Sequence, residues 1–186
     1  MASSTDSEGF PTVCDAVFAT VVADQRGALA VLYWARSDGF GTPLVLLDWL
    51  TPKLTPPPWP VIRIRLDLLG TRCRPRYGVA GIWAEGAALA QQCEARPILE
   101  HLTKPDYWSS LILVATHHLN AGSVRLTTMA SARMRVAKFG ALPVLSHAPR
   151  DEDGDPTIPA WLYGISLALD ERAASPPEPD RVKIVA

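Results

Sequence analysis

No single sign of charge dominates this chain. Its 186 residues carry 18 Lys and Arg against 19 Asp and Glu, a formal net charge of -1. A global basic field is therefore excluded, and any nucleic-acid contact must come from a local patch. Cysteine is scarce. Cys14, Cys73 and Cys93 have no CxxC spacing and no paired histidines near them, which excludes a disulfide framework and a zinc knuckle. Unpaired thiols in a reducing cytoplasm are the expectation. Long apolar runs are missing too: Arg, Asp or Gly interrupts each one well before about 18 residues, so no membrane span is expected. The opening MASSTDSEGF is polar and acidic, without the apolar core of a signal peptide. There is no G-x-x-x-x-G-K-S/T loop to cradle phosphates and no G-x-S-x-G nucleophile turn.

What is present suits one α/β domain. The composition is 48% hydrophobic, enough for a sizeable core. Residues 1–12 read as a disordered lead-in of Ser, Thr, Asp, Gly and Pro. Val17 to Ala23 is a β-branched run with strand character, and Asp24-Gln25-Arg26-Gly27 supplies a turn. Ala28 to Ala35 and Pro43 to Trp49 give two more strands, with Ser37 to Gly41 between them. Short Gly-bearing turns make the three an antiparallel meander. The segment TPKLTPPPWP, with five prolines, is a stiff connector.

Val61 to Leu69 alternates like a strand. Pro60 nevertheless fits a first helical turn, and Ile62, Leu66 and Leu69 share a helical face, so the reading leans to helix. Gly78 to Ala84 is a short strand. Gly86 to Leu102, rich in Ala, Leu, Gln and Glu, predicts a helix broken or kinked at Pro97. Tyr107 to Leu119 predicts a helix, Ser123 to Thr127 a strand, Met129 to Gly140 and Ile158 to Arg172 two further helices. Residues 173–186 form a Pro-rich tail. Strands first and helices later indicate a mixed sheet with helices on its faces.

The phrases AVFATVVADQRGALAVLYWA, TPLVLLDWL, IWAEGAALAQQ and WLYGISLAL, in this element order, resemble the C-terminal nuclease domain of phage terminase large subunits. The likeness covers residues 13–172. It implies a ribonuclease H-like fold, with an antiparallel three-strand meander extended by parallel strands. It also implies carboxylates on the first strand, the fourth strand and the last helix, holding Mg²⁺ or Mn²⁺. Hydrolysis of a phosphodiester by two metals needs hard cations about 4 Å apart, one activating water and one stabilising the leaving oxygen. Such cations prefer oxygen ligands.

The implied ligands are only partly present. The first-strand acid falls at Val22, which cannot bind a metal. Asp24 lies two residues on and would share a strand face with Val22, as a displaced ligand, or would simply open the turn. Glu85 stands at the end of the fourth strand, as the second acid or as a carboxylate favoured at the start of the helix that follows. Before the last helix the family pattern is close to D-D-x-x-D. This chain reads Asp155-Pro156-Thr157-Ile158-Pro159, so Asp155 matches and prolines replace the other two acids. Asp151, Glu152 and Asp153 lie just upstream, in a stretch that also reads as solvated loop. The catalytic and metal-binding candidates are therefore Asp24, Glu85 and Asp155, at a degenerate site.

Arg125, Arg133, Arg135 and Lys138 form a candidate DNA-binding set. Arg63, Arg65, Arg72, Arg74 and Arg76 either extend it or are ordinary solvated arginines. His117 and His118 are adjacent on a helix, about 100° apart, and do not chelate one ion in the i, i+4 manner. Trp34, Trp49, Trp83 and Trp161 sit in apolar segments and read as core.

Three functional readings remain open. In the first, the chain is a phage or prophage terminase nuclease-like domain for viral DNA packaging in the bacterial host cytoplasm, without the ATPase motor domain. Its partners would be double-stranded DNA and a terminase motor, small terminase or portal. In the second, the scaffold is kept and cutting is lost, leaving a module that binds DNA or a packaging partner. In the third, an unrelated α/β domain shares phrases by chance. A sheet lacking the three-strand meander beside a parallel addition would favour the third.

Overall fold

A computed structural model describes residues 5–37, 43–50, 58–136 and 156–169. Three long apolar strands build its centre: β1 (Ala16–Ala23), β2 (Leu29–Arg36) and β3 (Leu44–Leu50). β1 pairs antiparallel with β2, from Ala16 opposite Arg36 to Ala23 opposite Leu29, and β2 pairs antiparallel with β3. This is the meander expected from the Gly-bearing turns. β4 (Val79–Ala84) adds to β1 in parallel, and a two-residue β5 (Arg96–Pro97) adds in parallel to β4. On the far edge β6 (Val124–Leu126) runs parallel to β3. The sheet order is β5-β4-β1-β2-β3-β6.

Both faces of β1 and β2 are buried, so their sequences are continuous apolar runs rather than alternating ones. One face carries α1 (Trp59–Cys73) and α2 (Ala87–Gln92). Ile62, Leu66, Leu69 and Cys73 of α1 meet Val17, Val21, Val31 and Tyr33 there. The helical reading of this segment is thus correct, and Pro60 sits in its first turn. The other face carries α3 (Pro105–Asn120) and α5 (Thr157–Leu169), which meet Phe18, Trp34 and Trp83. α4 (Thr128–Val136) follows β6 directly. The hydroxyl of Thr127 accepts the N–H of Ala130 at 3.1 Å and donates to the Leu47 carbonyl at 2.7 Å, fixing α4 to the sheet edge.

Two expectations need correction. The helix predicted over Gly86 to Leu102 ends at Gln92. Glu94 adopts a left-handed φ of 49°, and the chain then extends to pair Trp83 with Arg96. Pro97 has no N–H to donate, so it suits an edge strand and not a helix interior. A 3-10 turn over Glu100–Thr103 completes the stretch.

The lead-in, expected to be disordered over 1–12, is packed from Thr5 onward. Asp6 Oδ1 accepts the N–H groups of Glu8 and Phe10, both at 2.9 Å. Phe10 is buried, and the Arg72 guanidinium lies 3.5 Å above its ring centroid. Arg72 also pairs with Asp6 at 2.6 Å and Glu8 at 2.7 Å. That guanidinium holds the Asp6 carboxyl below its usual pKa. A polar composition hid one aromatic anchor and one turn-forming Asp.

Lys138, Asp151 to Asp155, the ends of the two predicted helices at 137–140 and 170–172, and the tail 173–186 lie outside the described residues.

Candidate functional site

β1 and β4 run parallel and finish at the same edge of the sheet. Their register ends with Val21 beside Ala84, and the Glu85 N–H donates to the Val21 carbonyl at 3.0 Å. One residue further, Val22 and Glu85 stand side by side. Strand alternation puts Glu85 on the same face as Trp83 and Val22 on the face of Phe18 and Thr20. That is the α5 side. α5 crosses it antiparallel to β1. The Thr20 hydroxyl donates to the Ala160 carbonyl at 2.8 Å, and Arg36, at the opposite end, donates to the Ala168 carbonyl at 3.4 Å. The N-terminal end of α5 therefore lies toward the edge that holds Val22 and Glu85.

Tyr163 reaches this edge from α5. A helical side chain leans toward the N-terminus of its helix, and the Tyr163 hydroxyl meets Glu85 Oε1 at 3.1 Å. Its ring is fully buried and packs against Trp108 with centroids 5.1 Å apart. Glu85 itself is half-buried. The result is a carboxylate, a phenol and a buried valine at the carboxyl ends of two parallel strands. Glu85 directly follows β4, the strand-end position read from the sequence. Its phenolic partner, 78 residues away, was not foreseen. Only the α5 periodicity, read together with the β4 register, could have suggested it.

Asp24 lies at the same sheet edge, two residues beyond Val22, and has a different job. Its Oδ1 accepts the N–H groups of Arg26 and Ala28, each at 2.8 Å. Its carbonyl accepts the Gly27 N–H at 3.1 Å, and Gly27 has a φ of 84° that suits glycine alone. The β1–β2 turn is built on this side chain. One carboxylate oxygen is thus committed to the backbone, and the other is what remains for a ligand role. Asp155 lies outside the described residues.

Mg²⁺ and Mn²⁺ demand several oxygen donors at one point. At this edge Glu85 supplies one carboxylate beside the apolar Val22. Among the described residues no group of three His, Cys, Asp or Glu could hold a metal ion. The described donor set does not fit a two-metal centre.

The candidate DNA-binding residues are dispersed. Arg125 is exposed on β6, opposite Val45. Arg133 and Arg135 belong to α4, but their side chains, like Lys138, fall outside the description. Most of the second arginine set is engaged within the protein. Arg63 pairs with Asp67 at 3.2 Å, Arg65 with Asp48 at 2.6 Å, Arg72 with Asp6 and Glu8, and Arg76 with Asp15 at 3.6 Å. Pairing of this kind lowers the net field available to phosphates.

Asp48 is a charged residue that sequence reading passed over. It is fully buried on β3, accepting from Arg65 Nε at 2.8 Å and from the Trp49 N–H at 2.8 Å. The register shifts at this point, with Tyr33 opposite Asp48 and Trp34 opposite Leu46. Leu47 is the extra residue, and the bulge turns both Leu47 and Asp48 toward α1.

The four tryptophans expected in the core are buried. His117 and His118 have ring centroids 5.7 Å apart in an edge-on arrangement. All three cysteines are free and buried, and burial pushes the Cys14 and Cys73 thiols up to about 12. Thiols held protonated in this way are poor nucleophiles and poor metal ligands. Among the described residues no helix is long and apolar enough to cross a membrane. No protein-family model matches the chain, and neither a curated protein nor a solved structure is significantly similar to it.

Proposed function

We propose that this chain is a terminase nuclease-like domain of viral DNA packaging, built on a ribonuclease H-like scaffold, in which metal-dependent cleavage is impaired. Its role is to bind duplex DNA or a packaging partner. The resemblance in phrases and element order supplies the family. The mixed sheet supports it, because a three-strand antiparallel meander lies beside a parallel β4 and β5. A chance likeness would not require that arrangement. The observation that carries the loss of cleavage is the pair Val22 and Glu85. They sit together where two acids are expected, and only one of them is an acid. The second observation is that Asp24 spends Oδ1 on its own turn.

A plasmid-nicking assay with Mn²⁺ tests this reading, run on the native chain beside Glu85→Ala and Asp155→Ala. Nicking by the native chain is expected to stay at the level of both variants. Cutting that disappears in either variant would establish an active nuclease and reverse the second half of the proposal. A DNA-binding titration at rising salt tests the first half. Binding should weaken linearly in log–log form, and Arg125→Ala should reduce the slope by about 1. Absence of binding at low salt would leave only the packaging-partner role.

A further inference from the structure

α1 has two apolar faces and uses one. Ile62, Leu66, Leu69 and Cys73 are buried against the sheet. On the opposite side Val61, Ile64 and Leu68, spaced i, i+3, i+7, are 48%, 59% and 59% exposed. Isolated exposed aliphatics are ordinary, but three in register on consecutive turns make a stripe. The stripe lies on the outer side of α1, across the sheet from Glu85 and Tyr163, so it has no part in the site described above.

We propose that this stripe is the contact by which two copies of the chain associate, with α1 packed antiparallel against α1 of the second copy about a twofold axis near Arg65. The charges decide the occupant. Taking 100° per residue, Ile64 is central. Val61 and Leu68 fall on one flank, Arg63 and Asp67 on the other. A twofold that reverses helix direction keeps each flank facing itself. Val61 then meets the second copy's Leu68, and Leu68 its Val61. On the other flank Arg63 meets the second copy's Asp67, and Asp67 its Arg63. Both contacts are satisfied by one axis. Between them lie Pro60 and Thr71, compact residues that let the helices approach. Within one copy Arg63 and Asp67 already pair, both about half exposed. The same two charges can therefore bridge between copies without any new residue. A partner of one charge sign would leave one of them opposed.

The contact is small. Standard stable interfaces bury about 800 Å² per partner, more than three side chains on one helix provide. Association in the micromolar-to-millimolar range is the expectation.

Sedimentation velocity on the full chain, from about 5 to 500 µM, reads this directly. The native chain should move from monomer to dimer across that range. Ile64→Glu should stay monomeric, with its circular dichroism unchanged because the side chain is exposed. Arg63→Asp places like charges at two symmetric positions and should weaken the dimer roughly tenfold. Arg63→Asp combined with Asp67→Arg should restore it. A native chain that is monomeric throughout overturns the proposal, and the stripe then serves a different protein. A dimer that survives Ile64→Glu uses another surface and also overturns it. Failure of the double swap to restore association rules out the antiparallel register.

Discussion

The two faces of the sheet are stabilised in different ways. Against α5 and α3 the layer is aromatic. Phe18 stacks on Trp34 with centroids 6.5 Å apart, meets Trp83 edge-on at 5.7 Å, and Trp108 tilts against Tyr163. Two of its polar groups are met by side chains: the Trp34 indole donates to the Thr20 hydroxyl at 3.1 Å, and the Tyr163 hydroxyl donates to the Glu85 carboxylate. Against α1 the layer is mainly aliphatic, and the fully buried Asp48 within it is met by Arg65. The comparison bears on function as well. The strand ends that hold Glu85 belong to the aromatic face, where the carboxylate is hydrogen-bonded to the Tyr163 phenol.

The ion-pair face should show the larger response to one substitution. Arg65→Ala leaves Asp48 buried without its guanidinium. Breaking a buried pair from one side costs about 3 kcal/mol, the low end of the usual range because Arg65 is one-third exposed. Asp48→Leu combined with Arg65→Met should recover most of that loss, since an apolar pair suits this layer. Urea titration of the three variants measures it. If Arg65→Ala unfolds at the native midpoint, Asp48 is not the anchor of α1.

The aromatic face should fail through shape. Gly164 lies against Trp34, and a Cβ placed there would overlap the indole ring. Trp34 is fully buried and its indole N–H is bonded to Thr20, so it cannot swing away. Gly164→Ala should cost about 2–3 kcal/mol through overpacking, a fall in Tm of roughly 5–10 °C. The same variant should leave the α1 ion pair intact, so that the Arg65→Ala loss adds to it in the double variant.

These features were unequally legible in the sequence. The meander was readable because three apolar runs, the first of them β-branched, are separated by short Gly-bearing stretches. α1 was readable once Ile62, Leu66 and Leu69 were placed on one face. The Gly86–Leu102 helix was over-read, because Ala and Gln propensity outweighed Pro97 and gave no hint of the left-handed Glu94. Phe10 was lost inside a polar composition. The place of Glu85 at a strand end was readable, but its contact with Tyr163 required the register of α5 over the sheet. Asp48 was invisible for a sharper reason. A one-residue bulge reverses the facing of every later residue in β3, and period-2 reading assigns Asp48 to the wrong side.

Asp24 and Glu85 separate the two faces of the functional question most finely, since both are carboxylates at one sheet edge. Asp24→Asn keeps the Oδ1 acceptor and removes the charge, so the turn should survive with little change. Asp24→Ala removes the acceptor for two backbone N–H groups and should cost about 1 kcal/mol. A turn residue predicts this ordering, Asn near native and Ala below it, in thermal melts. A metal ligand predicts another: Asn would be as damaging as Ala to any Mn²⁺-induced rise in Tm, because the lost charge and not the lost acceptor matters to a cation. Melts of both variants with and without Mn²⁺ therefore distinguish the two roles. We expect the Asn variant to match the native chain in both conditions. A Mn²⁺-dependent rise in Tm that appears in the native chain and vanishes in Asp24→Asn would return Asp24 to the metal site and Glu85 with it.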